Sequence, residues 1–193
     1  MKKKALTLLL LVFCLGNIFA QQTSYYFKHY NNNSGLSQNT VMSIFQDSKG
    51  FIWMGTKNGL NRFDGHEFKI YQRGESLHEL KNSMIFSICE DRNNTLWIGT
   101  DQGISLYNPF TEKFSSFNRK TEKQEEIEGY VNKIFIDKKD RVWVLAGNGL
   151  FLFNPTENKF YSLNKKFAPY SPTFPRALFV DNEGIAYIGL PDT

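Results

Sequence analysis

Four aspartates invite a chemical reading. Asp47, Asp91, Asp137 and Asp181 stand 44, 46 and 44 residues apart, and each is followed six residues later by a large aromatic, Trp53, Trp97, Trp143 and Tyr187. Carboxylates serve as general acids, bases and metal ligands, and indole faces suit stacking on a sugar ring. The repetition argues against both uses. A period in the middle forties marks one structural unit copied in tandem, and equivalent positions in successive units spread out rather than converge on one substrate. The aspartates are therefore predicted to accept hydrogen bonds from the amides of their own turns. The aromatic series is predicted to fill the space between units.

Little else points to catalysis. The histidines, His29, His66 and His78, have no second His or Cys at ligand spacing, so no metal site of transition-metal type is expected. The sequence contains no phosphate loop or dinucleotide fingerprint and no nucleophile elbow. The reading is of a chain with no cofactor and no catalytic residue.

The elements that would carry these residues are strands. In the first repeat, VMSIFQDSKGFIWMGTKNGL at 41–60, two apolar runs are separated by Asp47-Ser48-Lys49-Gly50 and closed by Lys57-Asn58-Gly59, which are hairpin signals. A third strand follows from Leu60, Asp64-Gly65 turns it, and a fourth ends near Tyr71. Asn108-Pro109 and Asn154-Pro155 replace Asp64-Gly65 in later copies. Glycines 59, 103 and 149 sit where hairpin geometry calls for positive φ. Both alternating sets of the inner strands are apolar, so both faces of each sheet need cover.

Radial stacking meets that demand, and the expected fold is an all-β, partial β-propeller of four-stranded antiparallel blades, about three and a half of them. Repeats begin near 41, 85, 131 and 175. A β-sandwich is the runner-up; it explains short strands but not the faithful period. Residues 25–30 read as an outer strand displaced to the front of the chain, which in a full ring would complete the last blade and remove a sheet edge. The last copy stops inside the turn after its second strand, which reads as an incomplete propeller over 21–193, open-ended and prone to self-association.

Residues 1–20 read as a secretory signal peptide, with Lys2-Lys3-Lys4, an apolar run and Ala20 before the expected cleavage point. The chain has 23 basic and 19 acidic residues. Loss of the leader removes three lysines and no acid, so the remaining chain is nearly neutral and gives no support for nucleic-acid binding. Cys89 is then left without a partner and reads as a small buried hydrophobe.

Function falls to the unrepeated loops. The turns between second and third strands and the connections between blades, including 169–175, are expected on one face of the disc. Their amides, Gln38, Asn39, Asn58, Asn82, Gln102 and Asn148, each offer a donor and an acceptor suited to neutral hydroxylated ligands. The charged stretch 119–128 reads as a solvated loop.

The phrase from Ile44-Phe45-Gln46-Asp47 to Trp53-Met54-Gly55-Thr56-Lys57-Asn58-Gly59-Leu60 resembles the two-component regulator propeller repeat. Gly35-Leu36-Ser37-Gln38-Asn39 resembles the start of that family's sensor domain. The third copy departs with Leu145-Ala146 in place of Gly-Thr, and the fourth has Tyr187 in place of Trp; both read as tolerable in a core strand. The resemblance implies the periplasmic sensor part of a hybrid histidine kinase, anchored in full members in the inner membrane and tuned to oligosaccharides. The missing blades and the signalling domains would then be its partners, while the kinase and DNA-binding parts fall outside these residues. The alternatives are an exported propeller enzyme such as a lyase, or a structural scaffold.

Overall fold

The computed structural model describes residues 25–76, 78–169, 175–181 and 183–191. The expected leader at 1–20 and most of the loop 169–175 lie outside them. Each of the first three repeats folds into a four-stranded antiparallel meander. The first comprises β1 (Val41–Gln46), β2 (Ile52–Thr56), β3 (Gly59–Phe63) and β4 (Phe68–Tyr71). The second comprises β5 (Ile85–Glu90), β6 (Leu96–Thr100), β7 (Gly103–Asn108) and β8 (Lys113–Ser116). The third comprises β9 (Val131–Ile136), β10 (Val142–Ala146), β11 (Gly149–Asn154) and β12 (Lys159–Ser162). In the fourth, β13 (Ala177–Val180) pairs with β14 (Ala186–Gly189).

Turn chemistry explains why the meanders share one shape. At the third turn, Asp64 Oδ1 accepts from the backbone N–H groups of His66 and Glu67 at 2.7 and 2.8 Å. Asn108 does the same for Phe110 and Thr111, and Asn154 for Thr156 and Glu157. One side-chain oxygen at the turn's first position gives the same backbone path with different letters. Gly59, Gly103 and Gly149 have φ of 131°, 96° and 137°, as the hairpins require.

The sheets pack face to face with the inner strands β1, β5, β9 and β13 adjoining in sequence. Three apolar clusters fill the gaps, and each is built from two successive sheets. Trp53 and Leu60 meet Ile85, Ile88 and Ile98 in the first. Trp97 and Ile104 meet Val131, Ile134 and Val144 in the second. Trp143 and Leu145 meet Leu178 and Val180 in the third.

Equivalent positions reveal where this stacking stops. Ile88, Ile134 and Leu178 are 7, 3 and 8% exposed, whereas their counterpart Ile44 on the first blade is 69% exposed. At the other end, Trp53, Trp97 and Trp143 are 1, 5 and 8% exposed, whereas Tyr187 is 55% exposed. The first blade thus shows one face to solvent, and the fourth shows the opposite face.

Residues 25–30 form no strand; the place expected for this segment is the last blade of a full ring. A strand exists through its ladder, and here no sheet edge pairs with it. Tyr25, Tyr26 and Phe27 are exposed. Only Tyr30 packs, edge-on against Phe63 and Phe68 at centroid distances of 4.9 and 5.5 Å.

Candidate functional site

The aspartate series serves the turns, and also something spacing alone did not show. Asp47 Oδ1 accepts from Lys49 N and Phe51 N at 3.0 and 2.9 Å, while its Oδ2 accepts from the Trp53 indole Nε1 at 2.7 Å. Asp91 repeats this with Asn93 N, Thr95 N and Trp97 Nε1. Asp137 repeats it with Lys139 N, Arg141 N and Trp143 Nε1, and its Oδ2 also takes the Arg141 guanidinium at 2.7 Å. In the fourth copy Asp181 holds Glu183 N and Ile185 N, and the Tyr187 hydroxyl donates at 3.3 Å. The carboxylate satisfies the one polar atom of a large aromatic that must be buried between blades. A spacing of six carries the carboxylate across the tight turn to that aromatic, and Tyr in place of Trp keeps a donor there; those two facts were the available signal.

This bonding also sets the carboxylates' acidity. Burial acts to raise the Asp137 pKa, but the Trp143 indole and Arg141 outweigh it and hold the group below the usual carboxylate range. The turn amide of Ile185 does the same for Asp181. Cys89 packs against the second cluster, and burial together with nearby Asp91 pushes its thiol well up, so it is not a thiolate at neutral pH.

The Gly-Thr step has two separate jobs. Thr56 Oγ1 donates to Gly59 O and accepts from Asn58 N, both at 3.0 Å, and Thr100 does likewise with Gly103 and Gln102. The glycines let the next blade approach. A Cβ on Gly55 would meet Ile85 Cγ2 at 2.6 Å, and one on Gly99 would meet Val131 O at 2.7 Å. Leu145-Ala146 forfeits both functions in the third copy. The turn there is tied instead by Asn164, which accepts from Leu150 N at 2.9 Å and donates to Asn148 O at 3.0 Å. The close approach has no substitute, and β13 lies less tightly against β9 than the earlier inner strands lie against one another.

The second-turn loops and the connections between blades do meet on one face. Gly59 N donates to Ser83 O, Gly103 N to Gly129 O and Gly147 N to Tyr130 O, at 2.7 to 2.9 Å. The six loop amides are divided by what they do there. Gln38 Oε1 accepts from Thr40 N, and Asn39 Oδ1 from Asn32 N. Asn148 spends both ends of its amide on the preceding loop, accepting from Glu128 N and donating to Glu126 O. Asn58 and Gln102 bond through their backbone N–H groups and are exposed, and Asn82 is half-buried. Contacts between the turn after β2 and the loop before β5 place Asn58 near Asn82, while Gln102 and Asn148 belong to the next two blades. The six amides thus follow the loop face blade by blade. The stretch 119–128 is more ordered than its charges suggested: Thr121 N donates to Glu125 O, and Thr121 Oγ1 accepts from Lys123 N and Glu125 N.

Four-stranded meanders stacked face to face about adjoining inner strands define an arc of a β-propeller. Two stretches, 35–58 and 79–102, match the family model of the two-component regulator propeller. It is 44% identical over 66 residues to a histidine kinase of Formosa agariphila, an alignment covering 34% of this chain and 5% of that protein. Among solved structures it resembles the extracellular domain of a hybrid two-component system from B. thetaiotaomicron. That likeness has a TM-score of 0.75 and 29% identity, covering 86% of this chain and 24% of that one. A virginiamycin B lyase from Staphylococcus aureus shares the fold, with a TM-score of 0.57 at 14% identity over 89% of this chain and 54% of that one. The chain therefore spans about a quarter of the extracellular domain it resembles and a small part of the kinase.

Proposed function

We propose that this chain is part of the ligand-sensing propeller of a two-component signalling system, exported to the periplasm, and that its loop face binds an oligosaccharide. The observation that carries the reading is the 29% identity, over 86% of the chain, to the extracellular domain of a hybrid two-component system. The division of labour among its residues supports a binding role. Residues that repeat, the aspartates, tryptophans and turn glycines, are spent on holding blades together. The loops of one face differ from copy to copy, and such loops on a rigid scaffold are where recognition is placed. Phosphotransfer belongs to other parts of such a system, and this chain contributes the input. Calorimetric titration with a panel of oligosaccharides tests the reading. Saturable binding to a subset is expected, and a folded chain that binds none of the panel refutes it.

A further inference from the structure

The inner strands carry one position that is equivalent in every copy yet chemically different in each. The β1–β2 ladder shifts register between Val41 and Ser43, and the β5–β6 ladder between Ile85 and Ser87. The β9–β10 ladder shifts where Lys133 and Val131 face Leu145 and Ala146. The residues left unpaired are Met42, Phe86 and Asn132, and Arg176 holds the corresponding place before β13, its N–H donating to Gly189 O at 2.9 Å. A bulge frees a side chain from the ladder's alternation and re-aims it. The four residues stand at the loop-face ends of adjoining strands, and they run from thioether to phenyl, amide and guanidinium.

Between the third and fourth blades this position opens onto a cleft. Tyr130, Asn132, Leu145, Ala146, Pro175 and Arg176 line a space of about 360 Å³, within the size range of small-ligand sites. Its origin is the departure from Gly-Thr. Where Gly55 and Gly99 admit the next inner strand, Leu145 stands in the third copy, and with Pro175 it lines the cleft. The Tyr130 ring packs between Gly147 and Phe86, 6.1 Å from the latter's ring centre, so it is a fixed wall although 52% exposed. Asn132 and Arg176 are exposed, and among the described residues no carboxylate is paired with the Arg176 guanidinium.

We propose that this cleft between the third and fourth blades binds a saccharide carrying an anionic group, carboxylate or sulfate. Tyr130 supplies an aromatic wall for the sugar ring, and Asn132 offers a donor and an acceptor to its hydroxyls. Arg176 takes the oxyanion through its planar fork, the geometry that favours arginine over lysine at such groups. The inference rests on the sensing reading above and sharpens its ligand class, since the six loop amides alone would suit neutral sugars.

The test is calorimetric titration of the chain with an oligogalacturonate and its methyl ester, and with a sulfated oligosaccharide and its desulfated counterpart. Each anionic probe that binds should bind about tenfold or more tightly than its neutral counterpart, and whichever acid binds better identifies the natural source of the charge. Arg176→Gln should remove that preference while leaving the melting temperature unchanged, and Asn132→Ala should weaken both members of a pair. Equal binding of the anionic and neutral members, or an unchanged preference in Arg176→Gln, overturns the cleft assignment and leaves saccharide sensing standing. Failure of every saccharide to bind a folded chain overturns both.

Discussion

Replacing the same aspartate in two repeats should have very different consequences. In Asp47→Ala, the Trp53 indole N–H loses its acceptor at a site 1% exposed. A buried donor left without a partner costs about 1–3 kcal/mol. The amides of Lys49 and Phe51 lose their shared acceptor as well, at about 0.5–1 kcal/mol each because water can replace part of the bond. The total is about 3 kcal/mol, a large fraction of a domain's stability. With a urea m-value of about 2 kcal/mol/M, the midpoint should fall by about 1.5 M. In Asp181→Ala, the aromatic partner is a tyrosine 55% exposed, whose hydroxyl can turn to water, so the loss should be clearly smaller. Urea titration followed by far-UV circular dichroism reads both midpoints. A double-mutant cycle of Asp47→Ala with Trp53→Phe should give a coupling of about 1–3 kcal/mol for the shared bond. Equal midpoint shifts for the two aspartates, or a coupling near zero, would refute the account of the carboxylate as the acceptor for a buried indole.

Other outcomes follow from the same geometry. Asp137 has a folded pKa held below its unfolded value, so its contribution is fully present above the usual carboxylate range and is lost as pH falls through the depressed folded value. Stability measured from about pH 6 to about pH 3 should therefore decline less steeply in Arg141→Met, and identical profiles would contradict this. Trp97→Ala should cost about 3–5 kcal/mol as a large-to-small change in the second cluster, and a mutant with unaltered melting but lost ligand binding would reverse the structural assignment of this residue. The faces bearing Ile44 and Tyr187 should drive concentration-dependent association in sedimentation velocity, reduced by Ile44→Lys; a monomer with cooperative melting at every concentration would count against it.

Much of the fold could be read from the residues because its determinants are local. Asp64, Asn108 and Asn154 announce their turns by side-chain chemistry confined to three residues, and the period of the aspartates gives the number of copies. The indole bond was less accessible, since a spacing of six says nothing of bonding until the hairpin is drawn between Asp47 and Trp53. Residues 25–30 look like a strand by alternation, but pairing depends on an edge elsewhere. The loop amides each offer a donor and an acceptor, yet Asn39 spends its oxygen on Asn32 N and Asn148 both ends of its amide on the connection before β9, partners fixed by tertiary neighbours. The cleft was hidden most completely. Leu145-Ala146 looks like a harmless core variation until Gly55 and Gly99 are seen against the following blade, and the bulges at Met42, Phe86 and Asn132 leave no mark in composition.

The two uncovered faces also bear on how such an arc gains stability. Each further blade adds one interface and leaves one bare face at either end, so stability should rise by similar steps as in other nearest-neighbour arrays. Closing a ring is different in kind. That one contact hides the bare faces at both ends together, with no new end created, and it ties the first inner strand to the last. A closed ring should therefore lose blades only by breaking two interfaces at once, whereas an open arc can fray from either end. The loop-face cleft between the third and fourth blades sits beside one of those ends, so the same closure that protects the fold should also hold Tyr130 and Arg176 at a fixed separation.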